Sequence, residues 1–291
     1  MTGLFKRIHV IINPASGKDQ PILNILNDVC KAHGVDWDIS ITKKYGDAQQ
    51  QAKEAIARGV DLVVGYGGDG TQHEVANAVI GTGMPMGVLP GGTGNGFAHE
   101  LGLSNDVRAA VEVICTSTKL RKIDVGKVGD DYFIQRLYAG IEPEKQTSRQ
   151  AKDKYGIFAY TVTLKSQVFG EAESAFRLTV DGEVLELAGF KCYIVNSAKT
   201  GSRFSLAGQF RVDDGLLDVF VVSKRNLLTM RAARDRMLHL PTPAANFYCW
   251  HGREIKIEAE PDKAVWMDGE VYGRTPVSAT VLPGALQVVV P

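Results

Sequence analysis

The chain has 291 residues, 44% hydrophobic and 23% charged, with 33 Lys plus Arg against 33 Asp plus Glu. That length holds a sizeable core, as one large domain or two ordinary ones, and the charge balance excludes a globally basic nucleic-acid binder. There is neither an amino-terminal signal pattern nor an apolar run long enough to span a bilayer, so the expectation is a cytoplasmic protein with no transmembrane segment, free to meet a membrane from its inner surface. Local basic patches remain at Lys6-Arg7 and at Arg231, Arg234 and Arg236. The cysteines Cys30, Cys115, Cys192 and Cys249 form no CxxC pair and no metal spacing, and read as buried thiols in a reducing compartment.

Ile8 to Ile12 is an apolar strand that runs into the polar turn Asn13-Pro14-Ala15-Ser16-Gly17-Lys18. A helix carrying Ile22, Leu23, Ile25, Leu26 and Val29 follows, then an alternating strand over Trp37 to Ile41 and a helix over Ala48 to Ala57 with Asp47 as its cap. The strand from Asp61 to Gly65 enters Gly67-Gly68-Asp69-Gly70-Thr71, and a helix with Val75, Ala76, Val79 and Ile80 succeeds it. Met86 to Pro90 is the next strand and enters Gly91-Gly92-Thr93-Gly94-Asn95. Strand–helix alternation at this spacing predicts a parallel sheet whose ligands bind beyond the carboxyl ends of the strands, where all these loops fall.

Beyond about Arg121 the rhythm changes. Short strands are expected over Phe133 to Leu137, Phe176 to Val180, Phe190 to Asn196, Leu217 to Val222, Glu254 to Glu258, Lys263 to Met267 and Leu286 to Val290. The turn pairs Asp181-Gly182, Asp214-Gly215 and Asp268-Gly269 punctuate them. Helices are expected over Gly156 to Val168 and Leu227 to Leu240, the latter ended by Pro241. The fold class is therefore an α/β nucleotide-binding domain with a parallel sheet, residues 1–125, and a β-rich antiparallel, sandwich-like domain, residues 126–291, whose terminal segment is a candidate to return to the first.

Glycines at the end of a parallel strand bare backbone amides to phosphate oxygens and let the anion approach closely. Two such loops on neighbouring strands would line one cleft. A carboxylate at Asp69 conflicts with a phosphate nest unless a cation or water lies between, and magnesium suits that role. Thr71 can donate to phosphate or cap its helix; Thr93 and Asn95 bring a hydroxyl and an amide; Asn13 and Ser16 bring similar groups, while Lys18 is as readily a solvent-facing residue. The plain alternative is a set of tight turns in any α/β protein. The chain lacks GxxxxGK[ST], the protein-kinase HRD and DFG partners, and a GxGxxG after its first strand.

Together, Asn13-Pro14-Ala15-Ser16-Gly17, Gly67-Gly68-Asp69-Gly70-Thr71 and Pro90-Gly91-Gly92-Thr93-Gly94-Asn95 resemble the diacylglycerol kinase catalytic family, which includes bacterial lipid kinases and is related to the sphingosine and ceramide kinases. The likeness continues through Asp124-Val125-Gly126, Asp214-Gly215-Leu216-Leu217-Asp218, Asp268-Gly269-Glu270 and Val281-Leu282-Pro283-Gly284-Ala285-Leu286, nearly the whole chain in order. Its GGDGT motif and fold are similar to those of NAD kinases. The resemblance implies ATP as donor, Mg2+ as cofactor, and a lipid hydroxyl at a membrane surface as acceptor; it leaves a homodimer open.

It also implies site residues. Asp268 takes the position of the general base and Glu270 that of a carboxylate in the metal–water network, with Asp69 as the third acidic member. Asn13, Ser16, Gly67, Gly68, Gly70, Thr71, Gly91, Gly92, Thr93, Gly94 and Asn95 fall on the nucleotide loops. Asp214, with Asp213 beside it and Leu217 nearby, falls where several bacterial members bind a structural magnesium. Read locally, Asp268-Gly269 is equally a hairpin turn, Asp213-Asp214 a solvated turn, and Asp124 either an active-site member or a salt-bridge partner of Arg121 and Lys122. Asp181-Gly182-Glu183 nearly copies the base motif, but lies in an ordinary hairpin and is assigned no chemistry.

Phe133, Leu137, Tyr138, Ile141, Tyr155, Phe158, Tyr160, Val168, Phe169 and Phe204 are candidates for an apolar acceptor groove, and equally for core. Tyr138-Ala139-Gly140-Ile141-Glu142-Pro143-Glu144 departs from the family's pattern at Pro143 and Glu144, which leaves the acceptor open. Lys145, Arg149, Lys152 and Lys154 would each add about 1 kcal/mol near an anionic lipid surface, or form a solvated face. The histidines lack zinc spacing, and His73 and His99 read as helix-surface residues beside the loops. An NAD kinase-like or other small-molecule kinase and a noncatalytic lipid- or nucleotide-sensing protein are the competing functions.

Overall fold

The apolar runs of the first half become β1 (Arg7–Ile12), β2 (Asp36–Ile41), β3 (Leu62–Gly67) and β4 (Met86–Pro90) in a computed structural model that describes residues 3–16, 20–140, 173–197, 211–223 and 249–291. The expected helices over Gly156 to Val168 and Leu227 to Leu240 lie outside the described residues. So do Gly17 and Lys18, the basic residues at 145–154 and 231–236, residues 142–144, and the groove candidates Ile141, Tyr155, Phe158, Tyr160, Val168, Phe169 and Phe204.

The four strands are parallel in the order β2-β1-β3-β4. β3 and β4 are buried along their whole length, which their unbroken apolar character requires. Helices α1 (Ile22–His33) and α5 (Val107–Thr116) cover one face, setting Leu26, Val29, Val111 and Ile114 against Val10, Leu62 and Val64. Helices α2 (Asp47–Ala57) and α3 (Asp69–Val79) cover the other, where Ala52, Ala55, Val75 and Ala76 meet Ile11 and Val63. Each fully buried side chain of Val, Leu or Ile size contributes about 1.5–3 kcal/mol. A five-residue helix, α4 (Gly96–Glu100), follows the second glycine loop.

Asp47 does not cap α2. The cap position is Gly46, at φ 89°, and the Asp47 carboxylate accepts from the Lys43 and Lys44 amides instead. The orphan amides of Gly46 and Ala48 reach Glu74 Oε2 on α3 at 2.9 and 3.0 Å, so a neighbouring helix supplies the capping oxygen. Of the cysteines, Cys30, Cys115 and Cys192 are buried, the first two 3.7 Å apart between α1 and α5, and Cys249 is half-buried.

The second half comprises β5 (Leu120–Val128), β6 (Asp131–Phe133), β7 (Arg136–Ala139), β8 (Ser174–Val180), β9 (Glu183–Gly189), β10 (Lys191–Val195), β11 (Leu217–Val222), β12 (Trp250–Gly252), β13 (Glu254–Glu260), β14 (Ala264–Met267), β15 (Glu270–Arg274) and β16 (Val277–Val289). The strand expected over Phe133 to Leu137 is broken at Ile134-Gln135, where the chain leaves one sheet for another. The last expected strand is the end of a thirteen-residue element. β16 pairs with β13 at its start, lies antiparallel to β5 on both sides of a bulge between Leu282 and Leu286, and beyond that bulge is parallel to β4. It thus carries the parallel sheet into an antiparallel one, making ten strands in all. The 125/126 position falls inside β5.

A six-stranded antiparallel sheet, ordered β12-β11-β10-β7-β14-β15, faces the antiparallel part of the first. Phe176, Leu178, Ile255 and Ile257 of one sheet meet Leu137, Ile194, Val219 and Val265 of the other, a sandwich core. Asp124 ties this assembly together. It is 3% exposed, and its Oδ2 accepts from the Gly215 amide at 2.6 Å and its Oδ1 from the Gly284 amide at 2.7 Å. It therefore pairs with neither Arg121 nor Lys122. Replacing it with Asn, which sets an N–H against one of those amides, is expected to lower the unfolding free energy by about 1–3 kcal/mol. Urea denaturation checks this as a lower midpoint with unchanged slope.

Candidate active site

The two glycine loops lie back to back because nothing larger than hydrogen separates them. The Gly91 amide donates to Gly67 O at 2.9 Å, extending the β3–β4 ladder into the loops. A Cβ on Gly91 would stand 3.0 Å from Gly67 Cα, and one on Gly92 only 2.5 Å from Gly68 Cα, so backbone meets backbone. Over Gly70 the space is open, with no atom within 4 Å of a would-be Cβ. The first-turn amides of α3 have no acceptor within their own helix and form an anion-seeking end. Asn13 Nδ2 donates to Thr71 Oγ1 at 3.0 Å, which brings the loop after β1 against the same helix end. Ser16 closes that loop by donating to Asn13 O.

Some expected side chains serve the loops rather than face a ligand. Asn95, 7% exposed and at φ 49°, accepts from the Gly92 amide and donates to Gly92 O and Asn105 Oδ1. Thr71 is buried against Asn13, while Thr93 is exposed. Asp69 accepts from the Gly96 amide at 3.1 Å and the Phe97 amide at 3.0 Å, binding α3 to the start of α4. Its Oδ1 also accepts from Gln135 Nε2 at 2.7 Å.

Gln135 leads across to the acceptor side. Asp268 and Gly269 are the two central residues of the β14–β15 hairpin, at φ 46° and 102°, with Met267 paired to Glu270. The Asp268 side chain, 2% exposed, turns inward. Its Oδ1 accepts from the Gln135 and Arg136 amides at 3.0 and 2.8 Å, and its Oδ2 from the Ile134 amide at 2.7 Å and His73 Nδ1 at 3.0 Å. Asp69 and Asp268, far apart in sequence, are thus joined through the side chain and backbone of a single residue. Glu270 is exposed at the start of β15, with no hydrogen-bond or ion-pair partner among the described residues; its charge helps keep the Tyr45 phenol, already raised by burial, protonated.

In the turn at 213–218, where a structural metal site is expected, Asp213 is already paired with two cations. Burial works against the charge on Asp213, but the Arg121 and Arg211 guanidiniums, at 2.9 and 3.2 Å, hold its carboxyl below the usual range. A carboxylate compensated twice over is a poor ligand for a divalent cation. Asp214 turns its Oδ1 onto the Leu216 amide, and Leu217 is buried at the start of β11. Asp218 is pushed up to about 6 by burial and by the Asp214 charge. Among the described residues no group of three or more His, Cys, Asp or Glu is arranged to hold a metal. Asp69 has the chemistry to serve magnesium beside bound phosphates, since that ion keeps most of its waters and asks for one or two carboxylates. Asp69, with three donors on its two oxygens, retains acceptor capacity for one such water.

On the acceptor side, Phe133 and Leu137 belong to the sandwich core. Tyr138, on the other face of β7, belongs to a row that crosses four strands: Trp266, Tyr138, Tyr193 and Phe220, with ring centroids 5.0–6.1 Å apart. Arg136, two residues from Tyr138, lies on the same face toward Asp268. Asp181, by contrast, accepts from the Arg253 and Glu254 amides at an exposed hairpin. No helix of the described residues is long and apolar enough to cross a membrane.

His73, Gln135 and Asn196 were not among the expected site residues. His73 is buried, not on the helix surface. Asn196 donates from Nδ2 to Asp124 O and Ile134 O and from its amide to Gln135 O, bracing the crossover from behind. A polar residue four positions after Asp69 lies on the same face of α3, the one signal for His73 in the sequence; Gln135 and Asn196 carried none.

The diacylglycerol kinase catalytic domain model matches residues 7–128, and the YegS C-terminal NAD kinase beta sandwich-like domain model residues 136–290. The chain is 29% identical to a diacylglycerol kinase of Staphylococcus carnosus, over 98% of this chain and 95% of that one. It is 28% identical to an uncharacterized protein of Synechocystis sp., over all of this chain and 72% of the other. A crystal structure of a diacylglycerol kinase from Bacillus anthracis str. Sterne, 26% identical, matches with a TM-score of 0.82, covering 99% of this chain and 98% of that one.

Gly92→Ala tests the loop geometry, because the backbone of Gly68 cannot yield as a flexible side chain would. Forcing the loops apart is expected to cost about 1–3 kcal/mol of stability. It should also abolish any Tm increase on adding ATP, both read by thermal unfolding.

Proposed function

Since the chain belongs to the diacylglycerol kinase catalytic-domain family, we propose that it is an ATP-dependent lipid kinase. It passes the γ-phosphoryl group to a lipid hydroxyl, diacylglycerol or a related lipid alcohol, met at a membrane surface. The observation that carries the reading is the Asp69–Gln135–Asp268 connection, which sets the nucleotide loops beside the candidate base. A protein that only sensed a nucleotide would have no use for that link.

In this reading the paired loops hold the donor phosphates through the backbone amides of 68–71 and 93–94, the Gly91 and Gly92 amides being spent on Gly67 O and Asn95 Oδ1, with Ser16 and Thr93 at the rim. Phosphoryl transfer then needs the developing charge offset and the acceptor aligned. Magnesium, when bound, supplies the offsetting charge, with Asp69 and the exposed Glu270 as its carboxylate partners. Asp268 takes the proton of the acceptor hydroxyl as the new bond to phosphorus forms. Its oxygens already accept four hydrogen bonds, so one must lengthen for the hydroxyl to enter. The three amides are fixed in the backbone of the crossover, and the His73 bond is the one a side-chain rotation releases. In the aromatic row beside Arg136, Trp266 and Phe220 are buried and Tyr138 and Tyr193 half-buried, and the two partly open rings would favour an apolar acceptor.

Transfer from labelled ATP to a panel of lipid and soluble alcohols, with product identification and an NAD control, tests the proposal. Phosphorylation of NAD alone overturns the lipid assignment, and tight ATP binding with no acceptor supports a sensor. Asp268→Asn is expected to lose at least about 10²-fold in transfer while ATP affinity stays near wild type. A folded variant with full activity removes Asp268 as the base.

A further inference from the structure

The hydrogen bond between His73 and Asp268 joins a titratable group on the nucleotide half to the carboxylate on the acceptor half. We infer that His73 is a positioning residue for Asp268, and that loss of its proton is what lets Asp268 accept one from the substrate. The inference rests on the reading of Asp268 as base and adds the residue that governs it. An ionised carboxylate can only accept, so His73 Nδ1 carries the hydrogen, at 3.0 Å from Oδ2. The other donors on Asp268 are the amides of Ile134, Gln135 and Arg136, whose charge is fixed. Among the donors on this carboxylate, the imidazole is the one that can change its charge.

The surroundings decide which form it takes. His73 and the Asp268 side chain are 7% and 2% exposed, so their interaction is weakly screened. Three acidic charges act on the ring: Asp268 from the β14–β15 turn, Asp131 from β6, and Glu74, the next residue on α3, whose carboxylate is turned to the Gly46 and Ala48 amides. The uncharged Asn77 stands 3.5 Å from Nε2 and is itself held to Tyr132 N and O. Burial opposes a charge on the ring, yet the bond to Asp268 and the three acidic charges prevail, and His73 keeps its proton above the ordinary histidine value. As imidazolium, it stabilises the ionised carboxylate and so makes Asp268 a reluctant proton acceptor. Once neutral, it orients the carboxylate through a weaker Nδ1–H bond, one that can lengthen as the acceptor hydroxyl enters, and no longer opposes proton transfer. Transfer should therefore rise with pH through the range in which His73 deprotonates.

His73→Asn keeps a donor near the Nδ1 position and cannot titrate, whereas His73→Ala removes the donor. The pH dependence of kcat from about pH 5 to about pH 9, with the KM for ATP, is measured for both and for wild type. Each variant is first shown to be stabilised by ATP as wild type is. The wild-type kcat is expected to climb with a midpoint above the ordinary histidine value. His73→Asn should lack that limb and exceed wild type at the acid end, and His73→Ala should lose about 10–100-fold in kcat, with the KM for ATP unchanged in both. NMR titration of the imidazole should show a midpoint that falls in Asp268→Asn. A wild-type limb in His73→Asn, a wild-type kcat in His73→Ala, or an imidazole titration indifferent to Asp268→Asn overturns the inference. If wild type phosphorylates no alcohol, the kinase reading fails by itself, and the NMR titration still decides the pairing.

Discussion

A buried carboxylate has to be solvated by the protein, and the way Asp268 meets that need organises the whole centre. Three consecutive backbone amides converge on it at the point where the chain passes from the ten-stranded sheet to the six-stranded one. Hydrogen bonds to a charged group contribute about 1.5–3 kcal/mol each, enough to hold an irregular stretch in one conformation. With residues 134–136 held, the Gln135 side chain has one direction to take, toward Asp69. The spacing between the acceptor-side acid and the nucleotide loops is therefore a property of the backbone.

The same economy resolves the conflict raised by a carboxylate inside a phosphate nest. Asp69 faces the amides of Gly96 and Phe97 at the start of α4, and its charge is engaged there before any anion arrives. The repulsion a phosphate would feel is reduced, while the second glycine loop is anchored to the first. Contact between Gly92 and Gly68 sets how close the loops lie, and Asp69 fixes their relative position.

How much of this was legible in the sequence follows the range of the interactions involved. The parallel strands and their helices are local patterns: continuous apolar runs and helical spacing are written in adjacent residues, and β4 and β11 fall at the expected limits. The glycine loops were readable because a bare backbone is itself a local signal. The break at Ile134-Gln135 was not, since Phe133 to Leu137 contains no Gly, Pro or other turn signal and the switch of sheets is imposed by distant partners. For the same reason the cap of α2 was misassigned to Asp47, where the oxygen arrives from Glu74 on another helix. His73 was visible beside its loop, but only the position of Asp268 after folding gives it a partner.

Three Asp-Gly turns in this chain show why a dipeptide alone does not make a site. Asp181 and Asp268 share nearly the same backbone, at φ 47° and 46°, each followed by a glycine in a two-residue hairpin. Asp181 lies at the outer end of its sheet and spends its carboxylate on two amides of the neighbouring strand. Asp214 closes onto its own turn. Asp268 projects where two sheets and helix α3 converge, so the same turn chemistry delivers a charge to a place lined by donors from the crossover, β7 and α3. A hairpin there has to be short, since each added residue would carry the carboxylate away from the Ile134–Arg136 amides. The tight turn that makes the plain structural reading correct is thus also what aims the acid, and the two readings of Asp268-Gly269 describe one arrangement.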